Sequence, residues 1–160
     1  MCGIYGLITK PAKTYSNNAI RQTLENIAVF SESRGKDSSG MAIRNLNEGT
    51  LDVIKGDVPI RQLLKSKDYD VSVNAALKAD ALNQGFSAFG HARLVTNGTQ
   101  LNEANNQPVL KEDIIIIHNG IIVNVDDLWQ QYPDLERSYS IDTEIIPALI
   151  RKQLKSTNDL

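Results

Sequence analysis

Apolar residues along this chain follow two different rhythms. From Asn17 to Ser31 they fall at Ala19, Ile20, Leu24, Ile27, Ala28 and Phe30, three or four apart for the most part. That spacing predicts a helix, with Ser16 or Asn17 as its cap. Ile4 to Thr9 predicts a buried strand that Lys10-Pro11 ends. Met41–Leu46 and Thr50–Lys55 flank Asn47-Glu48-Gly49 and read as a hairpin. Phe86–His91 alternates like a strand. Asp113–His118 contains four consecutive isoleucines, Ile114 to Ile117, and predicts a strand buried on both faces. Short helices are expected over Val58–Leu64, Val71–Leu82 and Asp126–Gln131. A last helix over Thr143–Lys155 should be kinked at Pro147. Strands and helices mix without strict alternation, and no repeat or linker divides them. The expectation is one α+β domain over residues 1–160.

Charge narrows the function. Seventeen basic residues stand against nineteen acidic ones, a net charge of −2, so nothing favours nucleic acid or anionic membrane as a partner. The apolar stretch Gly3–Ile8 is too short for a secretory core and has no charged segment before it. No run approaches the roughly eighteen apolar residues of a membrane span. Cys2 is the only cysteine, which excludes an internal disulfide and any cysteine-based metal cluster. His91 and His118 are too few and too poorly spaced for a metal site and read as structural; no cofactor is called for. The setting expected is reducing and cytoplasmic.

The position of that cysteine matters more than its rarity. The chain opens Met1-Cys2-Gly3-Ile4-Tyr5-Gly6, and an initiator methionine is usually trimmed before a small residue. An N-terminal cysteine carries a thiol, with a pKa of about 8.5, beside an α-amine with a pKa of about 7.7–8.0. One residue then supplies both nucleophile and general base. On position alone the commoner fate of a free cysteine is an inert place in the core.

Four polar, glycine-bearing patches interrupt the globular pattern: Arg34–Gly40, Gly90–Gly98, His118-Asn119-Gly120 and Ile141–Glu144. Two of them follow expected strands directly, where a rigid scaffold holds functional loops. A cysteine amidase acting on an α-amino acid amide needs a guanidinium fork for the substrate carboxylate and a carboxylate for its ammonium. It also needs donors aimed at the tetrahedral oxyanion. Arg93, Asp142 and the Asn119-Gly120 pair are of those types, and Gly120 permits a positive φ or a close backbone approach. Each has an ordinary reading too. Asn-Gly is a common hairpin turn, arginines commonly form surface ion pairs, and Asp142 suits a helix N-terminus.

Taken in order, the motifs resemble a known family. They are Cys2-Gly3-Ile4, Arg34-Gly35-x-Asp37-Ser38-x-Gly40, Gly90-His91-x-Arg93-x-x-Thr96-x-Gly98, Asn105-x-Gln107-Pro108, His118-Asn119-Gly120 and Asp142-Thr143-Glu144. This set is similar to the class II glutamine amidotransferases, which include the glutaminase domains of glucosamine-6-phosphate synthase and glutamine phosphoribosylpyrophosphate amidotransferase. The resemblance runs from Cys2 to about Ile150. It implies the N-terminal nucleophile hydrolase fold, a four-layer αββα sandwich. It further implies that Cys2 attacks the glutamine side-chain amide, releasing ammonia, and that water then hydrolyses the γ-glutamyl thioester. On that resemblance Arg93 holds the substrate carboxylate, Asp142 its ammonium, and Asn119 and Gly120 the oxyanion. Thr96 lines the pocket and Arg34 supports the nucleophile. An acceptor or synthetase domain, on another chain or elsewhere in the polypeptide, is the implied partner.

The chain departs from the pattern of glucosamine-6-phosphate synthase at Leu94 and Asn97, where tryptophan and histidine are usual. Family domains also run on beyond the Asp-Thr-Glu helix with further strands, so these residues read either as a minimal stand-alone version or as a piece of something longer. Two other functions stay open at this level. One is hydrolysis of a different amide; the other is a catalytically silent regulatory or assembly module that keeps the fold.

Overall fold

Ser16 opens the first helix: its hydroxyl accepts the Ala19 N–H at 3.1 Å, capping α1, Asn17–Ser31. That helix turns Ile20, Leu24 and Ala28 inward at four-residue intervals, as its apolar stripe requires. The computed structural model describes residues 2–10, 15–46, 48–78, 85–94 and 105–157. Strands β1 (Gly3–Thr9), β2 (Ser38–Asn45), β3 (Thr50–Gly56) and β4 (Phe86–Arg93) form an antiparallel sheet in the order β1-β4-β2-β3. The β2–β3 hairpin pairs Asn45 with Thr50 and turns through Gly49, whose φ of +66° suits a residue without Cβ.

Helices α2 (Ile60–Leu63) and α3 (Lys67–Ala76) follow, the second capped by the Ser66 hydroxyl on Tyr69 N–H at 3.2 Å. One face of the sheet packs Tyr5, Met41, Ile43, Phe86 and Ala88 against Leu24, Ile60, Tyr69 and Val73 of the three helices. Side chains alternate across a strand, so the opposite face carries Gly40 paired with His91, and Ser38 paired with Arg93.

A second, two-stranded antiparallel sheet joins β5 (Val109–Lys111) to β6 (Ile114–Ile116). Then come α4 (Val125–Gln131), a 3-10 turn (Asp142–Glu144) and α5 (Ile145–Thr157). Trp129, Ile145 and Ala148 form a smaller core with Ile122, Val125 and Leu128. Glu144 is fully buried, and its carboxylate meets the Lys111 ammonium at 2.6 Å and the Ser138 and Tyr139 N–H groups at 2.9 and 2.7 Å. Those partners offset the cost of burying its charge. The α+β class and the antiparallel pairing therefore agree with the sequence reading.

Four details differ from it. Ser38–Gly40 belongs to β2 rather than to the preceding loop, because it pairs with Arg93–His91 of β4. The isoleucine run makes a three-residue, half-buried strand with one neighbour among the described residues, not a strand buried on both faces. Pro147 lies in the first turn of α5, where an N–H has no intrahelical partner to lose, so the kink expected of a mid-helix proline has no cause. Helix α3 also begins four residues before the expected Val71, while 79–82 lie outside the described residues.

Candidate active site

Cys2 stands one residue ahead of β1, whose first pair with β4 is Gly3 opposite Ala92. Strand alternation therefore places the Cys2 side chain on the face that carries Arg93. The Leu94 N–H reaches Cys2 Sγ at 3.4 Å, and the thiol lies 3.4 Å from the Leu94 carbonyl oxygen. From the other side, Cys2 N–H donates to Asn119 Oδ1 at 3.3 Å, and Asn119 Nδ2 donates to the Cys2 carbonyl at 3.0 Å. The nucleophile candidate is thus gripped by the end of β4 and by the segment that follows β6.

That second segment is not a hairpin turn. The β5–β6 hairpin turns at Glu112 and Asp113, with Glu112 at φ +52°, and Asn119-Gly120 lies beyond it. Gly120 does not have a left-handed backbone, and a Cβ there would stand 2.6 Å from His118 Nε2, at the tip of that side chain. His118 in turn is held by Gln107, whose Oε1 accepts the His118 N–H at 2.6 Å and whose Nε2 donates to the His118 carbonyl at 2.9 Å.

Arg93 is only 3% exposed, so the surface ion-pair reading does not apply to it. Its Nη1 donates to the Asn105 carbonyl at 2.9 Å and to Asn106 Oδ1 at 3.1 Å. Burial pulls the guanidinium's pKa below its ordinary value, while nearby Cys2, Asp142 and Asp37 act to raise it. Arginine keeps its charge regardless. Asp142 is also buried. Its carboxylate accepts the Ile122 N–H at 2.7 Å and lies 3.4 Å from the Thr143 hydroxyl, and it makes no helix-capping bond.

Arg34 is exposed at the end of a 3-10 turn, Glu32–Arg34, and lines a cleft of about 560 Å³ with Lys36, Asp37 and Leu94. Gly35 lies flat against the Arg93–Leu94 backbone, which brings this loop to the rim beside the thiol. Thr96 lies outside the described residues, as do Asn97 and Gly98. The structure thus brings Cys2, Asn119, Gly120, Arg93 and Asp142 into one neighbourhood, with Arg34 at its edge.

The motif Asn105-x-Gln107-Pro108 has no task at the level of sequence, and Asn106 is not among its fixed positions. The signal available was three consecutive carboxamides before a proline. His91 is fully buried beside Arg93, and its ring nitrogens make no close hydrogen bond among the described residues, the His118 main chain acting on the ring only as a minor influence. Burial, with the Arg93 charge second, pushes its pKa down to about 4, so the ring is neutral. A larger cavity of about 870 Å³ between β5 and α5 contains none of the candidate residues, and its Lys111, Arg151, Lys152 and Lys155 already meet carboxylates. Among the described residues, no three His, Cys, Asp or Glu side chains group as a metal site would require. No described helix is long and apolar enough to cross a membrane.

Residues 91–159 match a family model described as a glutamine amidotransferase domain. Over 164 residues the chain is 32% identical to the isomerizing glutamine–fructose-6-phosphate aminotransferase of Chlamydia trachomatis, covering 100% of this chain and 23% of that protein. The enzyme of the same name from Helicobacter pylori is 32% identical over 165 residues, covering 100% of this chain and 24% of its own length. That of Bartonella quintana is 32% identical over 160 residues, covering 98% and 23%. The chain spans about a quarter of the length of these curated relatives. With a family match across its second half and relatives aligned along its whole length, the chain belongs to the class II glutamine amidotransferase domains.

Proposed function

We propose that this domain hydrolyses the side-chain amide of glutamine through a thioester on Cys2 and passes the ammonia to an acceptor held by another domain or chain. Removal of Met1 frees the α-amine of Cys2, which takes the thiol proton. The sulfur adds to the amide carbon, and the oxyanion is met by Asn119 Nδ2 and the Gly120 N–H. Collapse expels ammonia with a proton returned by the α-amine, leaving the γ-glutamyl thioester. Water activated by the same amine then releases glutamate and restores the thiol.

Arg93 anchors the substrate carboxylate, Asp142 and its buried carboxylate anchor the ammonium, Thr96 lines the pocket, and Arg34 steadies the loop beside the nucleophile. Residues 1–160 act as one glutaminase domain in this reading. The two antiparallel sheets form the inner layers of the αββα sandwich of N-terminal nucleophile hydrolases, with α1–α3 outside one and α5 outside the other. A thiol that must stay reduced suits the cytoplasm.

The observation that carries the reading is the reciprocal pair of hydrogen bonds between Cys2 and Asn119, with the Leu94 N–H on the sulfur. It couples a nucleophile to an oxyanion donor, and a silent module has no use for that coupling. A glutamine-like diazo-ketone, followed by peptide mass spectrometry, tests it. We expect one adduct, on Cys2 of a chain that has lost Met1, and loss of both adduct and glutamine hydrolysis in Cys2→Ala. Labelling elsewhere, or turnover in Cys2→Ala, overturns it.

A further inference from the structure

The segment Asn105-Asn106-Gln107 is polar, buried and unclaimed by the mechanism above. Its three side chains are 1%, 0% and 6% exposed. Burying three carboxamides is costly unless their donors and acceptors are matched, and Arg93, Ser140, His118 and Thr143 are among their partners. Asn105 presents its carbonyl, and Asn106 its Oδ1, to the same nitrogen of Arg93. Asn105 Oδ1 accepts the Ser140 N–H at 3.1 Å and the Ser140 hydroxyl at 3.0 Å, two residues before Asp142. Gln107 takes both main-chain groups of His118, the residue before Asn119, and its Nε2 lies 3.4 Å from the Thr143 hydroxyl.

We infer that Gln107 is a positioning residue for the oxyanion segment Asn119-Gly120, and that Asn106 is its counterpart for the Arg93 guanidinium, so that one short segment sets the spacing between the two. This rests on the glutamine-hydrolysis reading above. A side-chain amide that binds the N–H and C=O of one residue acts as a strand neighbour would, and leaves that residue no freedom to rotate about its peptide planes. The segment is itself seated rigidly. A Cβ on Gly40 of β2 would run into the Gln107 carbonyl and stand 3.0 Å from Pro108 Cδ, so the backbone lies directly on the sheet. His118 fixes Asn119 and Gly120 by peptide connectivity, and its ring is 3.4 Å from the same Thr143 hydroxyl. Gln107 touches no position that substrate would occupy in this reading. It acts through His118.

The two roles separate kinetically. Gln107→Leu keeps the side chain's bulk but orphans the His118 N–H and C=O, letting the oxyanion donors drift. A misplacement of about 1 Å can cost on the order of 100-fold in rate, so we expect kcat for glutamine hydrolysis to fall at least about tenfold. KM should stay within about threefold, because the anchors of the substrate are untouched. Asn106→Ala, one residue away, should show the reverse split, with KM raised and kcat changed less. General loosening of the segment would not sort two neighbours in this way. Where Gln107→Leu fails to fold, Gln107→Glu serves, since it keeps the acceptor for His118 N–H and turns an acceptor toward the His118 carbonyl; kcat again falls.

The measurement is steady-state glutaminase kinetics on the full-length protein, with thermal unfolding of each variant alongside. A Gln107 variant with wild-type kcat, or both positions moving kcat and KM in equal proportion, overturns the inference. Failure of the underlying reading shows itself separately: the wild-type protein then neither hydrolyses glutamine nor takes the diazo-ketone on Cys2, and the positioning role falls with it.

Discussion

The carboxamide of Asn119 closes a ring with the main chain of Cys2, accepting its N–H at 3.3 Å and donating to its carbonyl at 3.0 Å across 117 residues of sequence. The first residues of a chain ordinarily fray. Here this ring and the pairing of Gly3 with Ala92 hold the nucleophile candidate from two sides. An amide nitrogen has two hydrogens, and the bond to the Cys2 carbonyl engages one. The other is the donor that the oxyanion role assigns to Asn119.

Asn119→Ala should therefore act on kcat. Loss of one oxyanion donor typically costs about 10²–10³ in rate, with KM for glutamine little altered. Asn119→Asp makes the sharper test: it keeps an acceptor for the Cys2 N–H yet has no amide donor, and kcat should fall comparably. An active Asp variant would reduce Asn119 to a tether for the terminus.

Arg93→Lys should raise KM for glutamine more than it lowers kcat. A point ammonium cannot reproduce the planar fork toward a carboxylate, and lost anchoring is felt alike in the ground and transition states. The side chain is buried and bonded to Asn105 and Asn106, so circular dichroism should accompany the kinetics. An unchanged KM would take Arg93 out of the glutamine pocket.

Gly120→Ala places a methyl 2.6 Å from His118 Nε2. The ring must turn away, giving up its 3.4 Å approach to the Thr143 hydroxyl, while Gln107 holds the His118 main chain. Because the clash is with a side-chain tip, the cost should fall at or below the low end of the about 1–3 kcal/mol of core overpacking, read as a slightly lowered melting temperature, and kcat should fall as the segment shifts. Full activity and an unaltered melting curve would show that the segment has slack.

His91 makes stability depend on acidity. Its folded pKa of about 4 lies below the ordinary 6.5, so the unfolded chain binds this proton first. The contribution is complete above about pH 6.5 and is lost as pH falls toward 4, amounting to roughly 3 kcal/mol at most. Chemical denaturation at pH 7 and pH 4.5 should show a smaller acid loss in His91→Leu than in wild type, whatever the carboxylates contribute to both. Equal losses would place the ring's charged form in water.

What the linear order of residues determines by itself is local. Helix α1 and its Ser16 cap, the β2–β3 hairpin through Gly49, and strands β1 and β4 all follow from periodicity and turn chemistry within one short segment each. The candidacy of Cys2, Arg93, Asn119, Gly120 and Asp142 also follows from residue type and motif order. What waits for the tertiary structure is everything set by neighbours distant in sequence. The run Ile114–Ile116 is half-buried, in a sheet that has two strands among the described residues, and Pro147 is harmless because α5 starts at Ile145. Gln107 acquires its place only when His118 and Thr143 arrive beside it. A hydrogen bond depends on where two groups end up in space, and a chain read residue by residue specifies that only through the packing of the whole.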